Sequence, residues 1–93
     1  MTPIITIPRH LARVANAESE THVSSRTAGA AVDELLSRHP TLRVHLFDES
    51  SVLRPHVVCF IDGELLGLID PEAEVKHEIT FLHAVSGGAY DHT

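Results

Sequence analysis

The segment from Thr27 to Pro40 most restricts the fold, because one clear helical pattern separates two stretches of strand-like sequence. Thr27 is a favoured N-cap residue, and Pro40 ends the helix because the residue before a proline avoids the α conformation. The apolar residues of this predicted helix, 27–39, recur at helical spacing and form one stripe: Ala28, Ala31, Val32, Leu35 and Leu36. A helix with one apolar stripe needs a layer to cover it, and the flanking sequence predicts a sheet.

Two strands are predicted before the helix. Residues 4–7 form a β-branched run that ends at Pro8, because proline has no N–H to donate to a neighbouring strand. Residues 10–14 are interpreted as a connector or as the turn into a second strand. The weak alternation of residues 21–24 predicts that second strand, so an N-terminal hairpin is expected.

Three strands are predicted after the helix. Residues 40–56 are read as a crossover, in which a short helical turn caps the core with Leu42, Leu46 and Phe47. Residues 56–61 and 64–69 flank Asp62-Gly63, which favours a type I′ hairpin because both of its residues accept positive φ. The last strand begins at Glu78 and runs into a pair of glycines.

The resulting element order, β-β-α-β-β-β, predicts an α+β fold of the β-grasp (ubiquitin-like) type. One main helix packs across a mixed sheet, and the first and last strands lie side by side at its centre. A chain of 93 residues forms one small domain, here residues 1–86, followed by a tail at 87–93. A core of this size leaves no room for a buried cofactor and a catalytic cleft, so we expect no bound cofactor and no enzyme activity.

The charge of the chain excludes several classes of partner. Asp and Glu number 13 against 7 Lys and Arg, which gives a formal net charge of -6. Such a surface repels phosphate backbones, so nucleic-acid binding is not expected, and it suits a partner with a basic docking surface. No apolar run approaches the ~20 residues of a membrane span, and no signal peptide is recognisable. We therefore predict a cytoplasmic protein without a membrane partner.

The cysteine and the histidines carry no recognisable chemistry. Cys59 is the single cysteine, so an internal disulfide is excluded, and its place in a strand predicts a small buried side chain. The 8 histidines are scattered and show no metal-ligand spacing. We therefore predict no metal site and no catalytic residue.

The two faces of the last strand have different roles. Ile79 and Phe81 share one parity and are expected to face the core. Thr80 and Leu82 then point to the other face. Beside the outward residues of the preceding hairpin, Val58 and Phe60, they predict a patch where a partner docks.

The residues after this strand form a tail with almost no side chains. Ser86, Gly87 and Gly88 have no bulk and no apolar anchor. Extended at ~3.3 Å per residue, residues 84–88 span about 16 Å. Such a tail can pass through a narrow channel and present a glycine carboxyl group to another enzyme.

The run from Phe81 to Gly88 resembles the C-terminus of the MoaD/ThiS family of ubiquitin-like sulfur carriers, which includes CysO. Three other stretches are similar to the helix, crossover and central hairpin of that family, namely residues 27–40, residues 42–49 together with 53–55, and residues 57–64. The likeness covers nearly the whole chain, and it depends on the order and spacing of these stretches together.

The resemblance implies a mechanism. In such carriers an E1-like enzyme uses ATP to adenylate the terminal glycine carboxylate. Sulfur transfer then gives a thiocarboxylate, which donates its sulfur to a biosynthetic enzyme. Carried over to this chain, Gly88 is the residue that is modified, and Gly87 with Ser86 supplies the flexible approach.

Residues 89–93 depart from the pattern, because family members typically end at the double glycine. Gly88 has a free carboxylate only if the bond between Gly88 and Ala89 is cut. Some relatives carry a short extension that a JAMM-type zinc metalloprotease removes, so the resemblance implies a pro-form with its processing site at Gly88 and Ala89.

Two other functions stay open. One is a ubiquitin-like modifier, in which Gly88 is joined to a lysine of another protein. The other is a non-catalytic interaction domain in which the glycines have no reactive role. Incubation with ATP and an E1-like enzyme separates them: a mass gain from sulfur indicates the carrier, protein conjugates indicate the modifier, and no adenylate indicates the interaction domain.

Overall fold

The computed structural model describes residues 2–66 and 70–83. These residues form, in chain order, β1 (Ile4–Thr6), α1 (Arg9–Ala15), β2 (Glu20–His22), α2 (Ala28–Arg38), α3 (Leu42–Leu46), β3 (Val57–Ile61), β4 (Glu64–Leu66) and β5 (Glu78–His83). The predicted end of the fourth strand at residues 67–69 lies outside the described residues, and so do the tail residues Ser86 to Ala89.

The five strands form one sheet in the order β2-β1-β5-β3-β4. β1 and β5 are parallel, with Ile5 opposite Ile79, and the other neighbouring strands are antiparallel. The prediction that the first and last strands meet at the centre of a mixed sheet is therefore confirmed. So is the α+β class with the β-grasp arrangement.

α2 is the main helix, and its predicted apolar stripe is the face that packs on the sheet. All five stripe residues are buried: Ala28, Ala31, Val32, Leu35 and Leu36. α3 confirms the predicted short helical turn in the crossover, and it buries Leu42 and Leu46. The core therefore lies between one face of the sheet and these helices.

α1 corrects the sequence analysis, which interpreted residues 10–14 as a connector or a turn. The segment forms a helix of 7 residues that buries Leu11 and Ala12. It ends at Asn16, which takes the left-handed conformation with φ 54° and donates its backbone N–H to the last turn. Two helical turns are too short to show a clear period in the sequence, and only packing on the rest of the protein stabilises them.

The N-terminus of α2 is held differently from the prediction. Thr27 precedes the helix in an extended conformation, but its side chain makes no capping hydrogen bond. The backbone N–H groups of Ala28 and Gly29 instead donate to the carbonyls of Ala73 and Pro71, at 2.8 and 2.9 Å. The loop before β5 therefore caps the helix, and this contact was invisible to local sequence reasoning.

Candidate functional site

β5 carries the chain to the predicted tail, and it lies between β1 and β3 inside the sheet. Ile79 and Phe81 are 0% exposed, so the predicted core face of this strand is confirmed. Phe81 also meets the ring of Phe47 edge-on, at a centroid distance of 6.4 Å. β5, the strand that leads to the tail, is thus held by β1 and β3 along its two edges and by Phe47 on its core face.

The opposite face of β5 brings together the four residues that the sequence analysis named. Val58 lies opposite Leu82, and Phe60 lies opposite Thr80, in the antiparallel pairing of β3 and β5. All four side chains are half-buried. We call this group, Val58, Phe60, Thr80 and Leu82, the outer-face patch.

Leu65 extends the outer-face patch and was missed from the sequence. It lies opposite Phe60 on β4, and 53% of its surface is exposed. The hairpin turn contained the signal, because a two-residue loop after Ile61 places Ile61 opposite Glu64 and therefore Phe60 opposite Leu65.

The hairpin turn between β3 and β4 also holds the start of β5. Asp62 and Gly63 have φ of 50° and 85°, which confirms the turn that their sequence predicts. The Asp62 carboxylate accepts hydrogen bonds from the backbone N–H groups of Lys76, His77 and Glu78, at 2.9, 2.7 and 3.0 Å. A single side chain therefore fixes the point at which the chain enters the central strand.

These bonds set the charge state of Asp62. Desolvation alone raises the pKa of the carboxyl group. The three backbone N–H donors and the nearby charge of His77 outweigh it, so the pKa is lowered from its ordinary value. The charged form of the carboxylate, which is the stronger acceptor, is thus stabilised over the neutral carboxyl group.

Asp62→Asn should reduce the free energy of unfolding by about 1–2 kcal/mol at pH 7, because it removes a charged acceptor of backbone N–H groups. A lowered folded-state pKa means that the stabilisation is complete above the unfolded pKa of about 4 and is lost as the pH falls through the folded value. Urea unfolding at pH 7 and at pH 3 should therefore show a smaller difference between wild type and variant at pH 3. Glu64→Ala, at an exposed carboxylate on β4, is the control, and an equal loss in both variants would contradict the role of Asp62.

The other end of β5 is fixed by a contact between two histidines. Nε2 of His10 on α1 lies 2.8 Å from Nδ1 of His83, which is a hydrogen-bonding distance. The two rings are tilted by 51° with their centroids 4.7 Å apart. α1 is thereby attached to the last described residue of β5, five residues before Gly88.

Cys59 is buried and has no exposed sulfur, as the sequence predicts. Burial raises the pKa of its thiol to about 12, so the reactive thiolate is not formed at neutral pH. Within residues 2–66 and 70–83, no three side chains of the metal-binding types come together.

Three solved structures are similar to this chain over almost its whole length. SAMP1 from Haloferax volcanii is 27% identical with a TM-score of 0.72, and the alignment covers 95% of this chain and 100% of that one. A chain of the Amycolatopsis orientalis BexX/CysO complex is 28% identical with a TM-score of 0.72, covering 91% and 98%. SAMP1 from Methanosarcina acetivorans, at 22% identity and a TM-score of 0.68, shares the fold over 95% and 99%. No protein-family model matches the chain, and no curated protein sequence matches it.

The strand order, the helix across one face and these structural neighbours define a ubiquitin-like β-grasp protein. Within that class the chain is a MoaD/ThiS-like ubiquitin-fold protein, similar to the small modifier SAMP1 and to CysO. In the part of the chain that the structure describes, no helix combines the length and apolarity that crossing a bilayer requires.

Proposed function

We propose that this chain is a sulfur-carrier protein whose reactive group is the carboxylate of Gly88. The observation that carries the proposal is the position of β5, the central strand, which is fixed at both ends and leads directly to the sequence Ser86-Gly87-Gly88. The likeness to a chain of the BexX/CysO complex supports it. In this proposal residues 1–86 are the scaffold and residues 87–93 are the tail.

The chemistry takes place on an E1-like partner enzyme, which binds and uses ATP. The Gly88 carboxylate attacks the α-phosphorus of ATP, pyrophosphate leaves, and an acyl adenylate forms. Sulfide then attacks the carbonyl carbon, AMP leaves, and the product is a thiocarboxylate. The carrier supplies the substrate and its position, and a sulfur-accepting biosynthetic enzyme takes up the sulfur. The proposed setting is the cytoplasm, because the activation consumes ATP.

The proposal requires that the residues after Gly88 be removed. Hydrolysis of the Gly88–Ala89 bond gives the free carboxylate, and a JAMM-type metalloprotease is the class of enzyme that the family resemblance suggests. The absence of side chains at Gly87 and Gly88 suits a narrow protease cleft as well as the adenylation channel.

A form that ends at Gly88 should support ATP–pyrophosphate exchange with an E1-like enzyme from the same host, whereas the chain that ends at Thr93 should support none. Only the shorter form has the carboxylate at the position that reaches ATP. Intact mass after addition of sulfide should then show the replacement of one oxygen by sulfur. A form ending at Ala89 is the matched control, and exchange that is equal for all three forms would contradict the assignment of Gly88.

We further propose that the outer-face patch docks on the adenylating enzyme. Its half-buried apolar side chains lie on the strand that leads to the tail and on its neighbour. In the same exchange assay Leu82→Glu should raise the KM of the carrier and leave its thermal unfolding nearly unchanged. An unaltered KM would show that the outer-face patch does not contact the adenylating enzyme.

Conjugation to lysines is the second candidate function, and the similarity to SAMP1, a small archaeal modifier protein, favours it. Both functions share the adenylate, so the exchange assay does not separate them. Conjugates that retain Gly88 linked to a lysine, detected by mass spectrometry of digested host proteins, would select the modifier. If neither an adenylate nor a conjugate is detected, the remaining candidate is a non-catalytic interaction domain.

A further inference from the structure

β2 is an edge strand, because β1 lies on one side of it and no described strand lies on the other. Ser19, just before β2, accepts a hydrogen bond from the backbone N–H of Ile7 on the side of β1, at 2.9 Å. In an antiparallel pair such bonds recur at every second residue, so Thr21 also bonds toward β1. The backbone N–H and C=O groups of Glu20 and His22 therefore point away from β1, to the open edge.

Arg38, at the end of α2, already binds one of these outward groups. Its Nη1 donates to the carbonyl of His22 at 2.8 Å, and its Nη2 donates to the carboxylate of Glu34 at 2.6 Å. Among the described residues, this leaves three groups of β2 at the open edge: Glu20 N–H, Glu20 C=O and His22 N–H. Outward backbone groups on an edge strand are where an extended peptide adds to a sheet.

A groove of about 540 Å³ lies along this edge. All three residues of β2 line it, and its walls are residues 16–18, which follow α1, and residues 38–39, where α2 ends. Its volume is within the range of ~300–1,000 Å³ that is usual for ligand sites. We call it the β2 groove, defined by residues 16–18, 20–22 and 38–39.

Two carboxylates give the β2 groove its charge. Glu18 and Glu20 are exposed, and within residues 2–66 and 70–83 neither of them forms an ion pair. The one arginine of the groove, Arg38, is paired with Glu34, which lies outside it. With the histidines counted as neutral, the uncompensated charge of the β2 groove is therefore negative.

We propose that the β2 groove binds an extended segment of a partner protein as an added strand, with a lysine or arginine of that segment beside Glu20. The edge of β2 selects a polypeptide, because an extended chain presents N–H and C=O groups at the repeat of a strand. The carboxylates of Glu18 and Glu20 attract a cation and repel phosphates, which excludes nucleic acids and anionic lipids. A second copy of this chain does not fit, because its own β2 is recessed in the same groove.

The β2 groove is separate from the surfaces that the proposed function uses. β1 lies between β2 and β5, whereas the outer-face patch lies on β5 and β3. A segment bound at β2 therefore leaves the outer-face patch open. The inference goes beyond the proposed function and does not depend on it: the β2 groove holds the protein on one partner while another enzyme acts on its tail.

The test uses the full chain and a capped peptide of the sequence VKVKVKV, in which valine and lysine alternate. In an added strand the lysines lie on the same face of the sheet as Glu20, and the valines lie on the face of Thr21. Shifts of backbone amides in ¹⁵N-labelled protein should concentrate in residues 16–23 and 38–39. The charge-reversed peptide VEVEVEV should bind at least roughly tenfold more weakly, because its glutamates meet Glu18 and Glu20.

Amide hydrogen exchange separates an added strand from attraction by charge alone. In the free protein Thr21 N–H should exchange slowly, because it bonds to β1, and the N–H groups of Glu20 and His22 should exchange fast. Bound VKVKVKV should slow exchange at Glu20 and His22 by roughly tenfold or more. Amide shifts without this protection would show that the peptide does not add as a strand, and the proposal would be overturned.

Two charge reversals complete the test. Glu20→Lys should weaken the binding of VKVKVKV roughly tenfold, because like charges then lie side by side in the added strand. Glu49→Lys changes the net charge equally in an exposed loop outside the β2 groove, and it should weaken binding by less than about twofold. Both carboxylates are exposed, so thermal unfolding of the two variants should match that of wild type.

Three results would contradict the β2 groove as a peptide site: no binding of VKVKVKV at ~1 mM, equal binding of VEVEVEV, or equal losses in the Glu20 and Glu49 variants. None of these measurements involves ATP or Gly88. A failure here therefore leaves the proposed function standing, and a chain that supports no adenylation can still bind the peptide.

Discussion

Replacing Phe81 with alanine should lower the free energy of unfolding by about 3–5 kcal/mol, the range for a large aromatic residue in a closed core. The side chain is 0% exposed on the central strand, lies opposite Cys59, and meets the edge of the Phe47 ring. The neighbouring strands β1 and β3 are held in the sheet, so they cannot move in to fill the cavity that the missing ring would leave. Small domains are stable by only about 5–15 kcal/mol, so this loss is a large fraction of the total.

Urea unfolding followed by circular dichroism measures this loss. Phe60→Ala is the matched control, because it removes the same side chain from the outer face of the neighbouring strand, where the residue is half-buried. We expect the Phe60 variant to lose clearly less stability. Equal losses would show that the two faces of the sheet are buried alike, contrary to the structure.

Gly29→Ala should destabilise the protein by about 1–3 kcal/mol, the usual cost of inserting a methyl group into a packed site. Helix propensity alone predicts the opposite sign, since alanine is better than glycine inside a helix by about 1 kcal/mol. An added Cβ at position 29 would lie 2.8 Å from Cβ, 3.0 Å from the carbonyl oxygen and 3.1 Å from Cα of Pro71. These atoms belong to the loop that caps α2, so making room breaks the hydrogen bond from Gly29 N–H to Pro71.

Ser37→Ala, at an exposed position of the same helix, isolates the effect of propensity and should be neutral or slightly stabilising. The double variant Gly29→Ala with Pro71→Gly removes the nearest atom and should recover part of the loss. A rise in the melting temperature of Gly29→Ala would show that the loop moves away freely, and the account given for Gly29 would then be wrong.

The predicted parts of the fold were those whose signals are local. Asp62-Gly63 identified the turn because few other dipeptides accept two positive φ angles. The alternation of Ile79 and Phe81 identified the core face of β5, and the stripe on α2 identified its buried side. Each of these patterns has a direct geometric meaning within a few residues.

α1 was missed because its signal is short and mixed. Its two inward residues, Leu11 and Ala12, are adjacent, so they show neither the helical nor the strand period clearly. Pro8 before it and Asn16 after it are both suitable ends for a helix, and they were the available signal. Recognising them would also have placed Arg9 and Arg13 on one helical surface.

The contacts that fix the candidate site join residues that are far apart in the chain. His10 and His83 are separated by 73 positions, and Asp62 reaches backbone groups 14 to 16 positions away. No local pattern encodes such pairs, because they depend on how the finished sheet brings its ends together. The sequence could therefore indicate the tail and the outer-face patch, but not what anchors β5.

The parallel pairing of β1 with β5 also decides when the protein can fold. The pair joins residues 4–6 to residues 78–80, so the middle of the sheet closes only through a contact of very large sequence separation. Such contacts form late, since a long loop must be closed before they give any stability.

On the ribosome the sheet therefore lacks its centre until residue 83 has been made, and Gly87-Gly88 follows within five residues. A chain interrupted before Glu78 leaves β1 and β3 with open edges, which are sites for aggregation and proteolysis. The topology thus couples the closing of the sheet to the synthesis of its last strand, which shortly precedes the diglycine in the sequence.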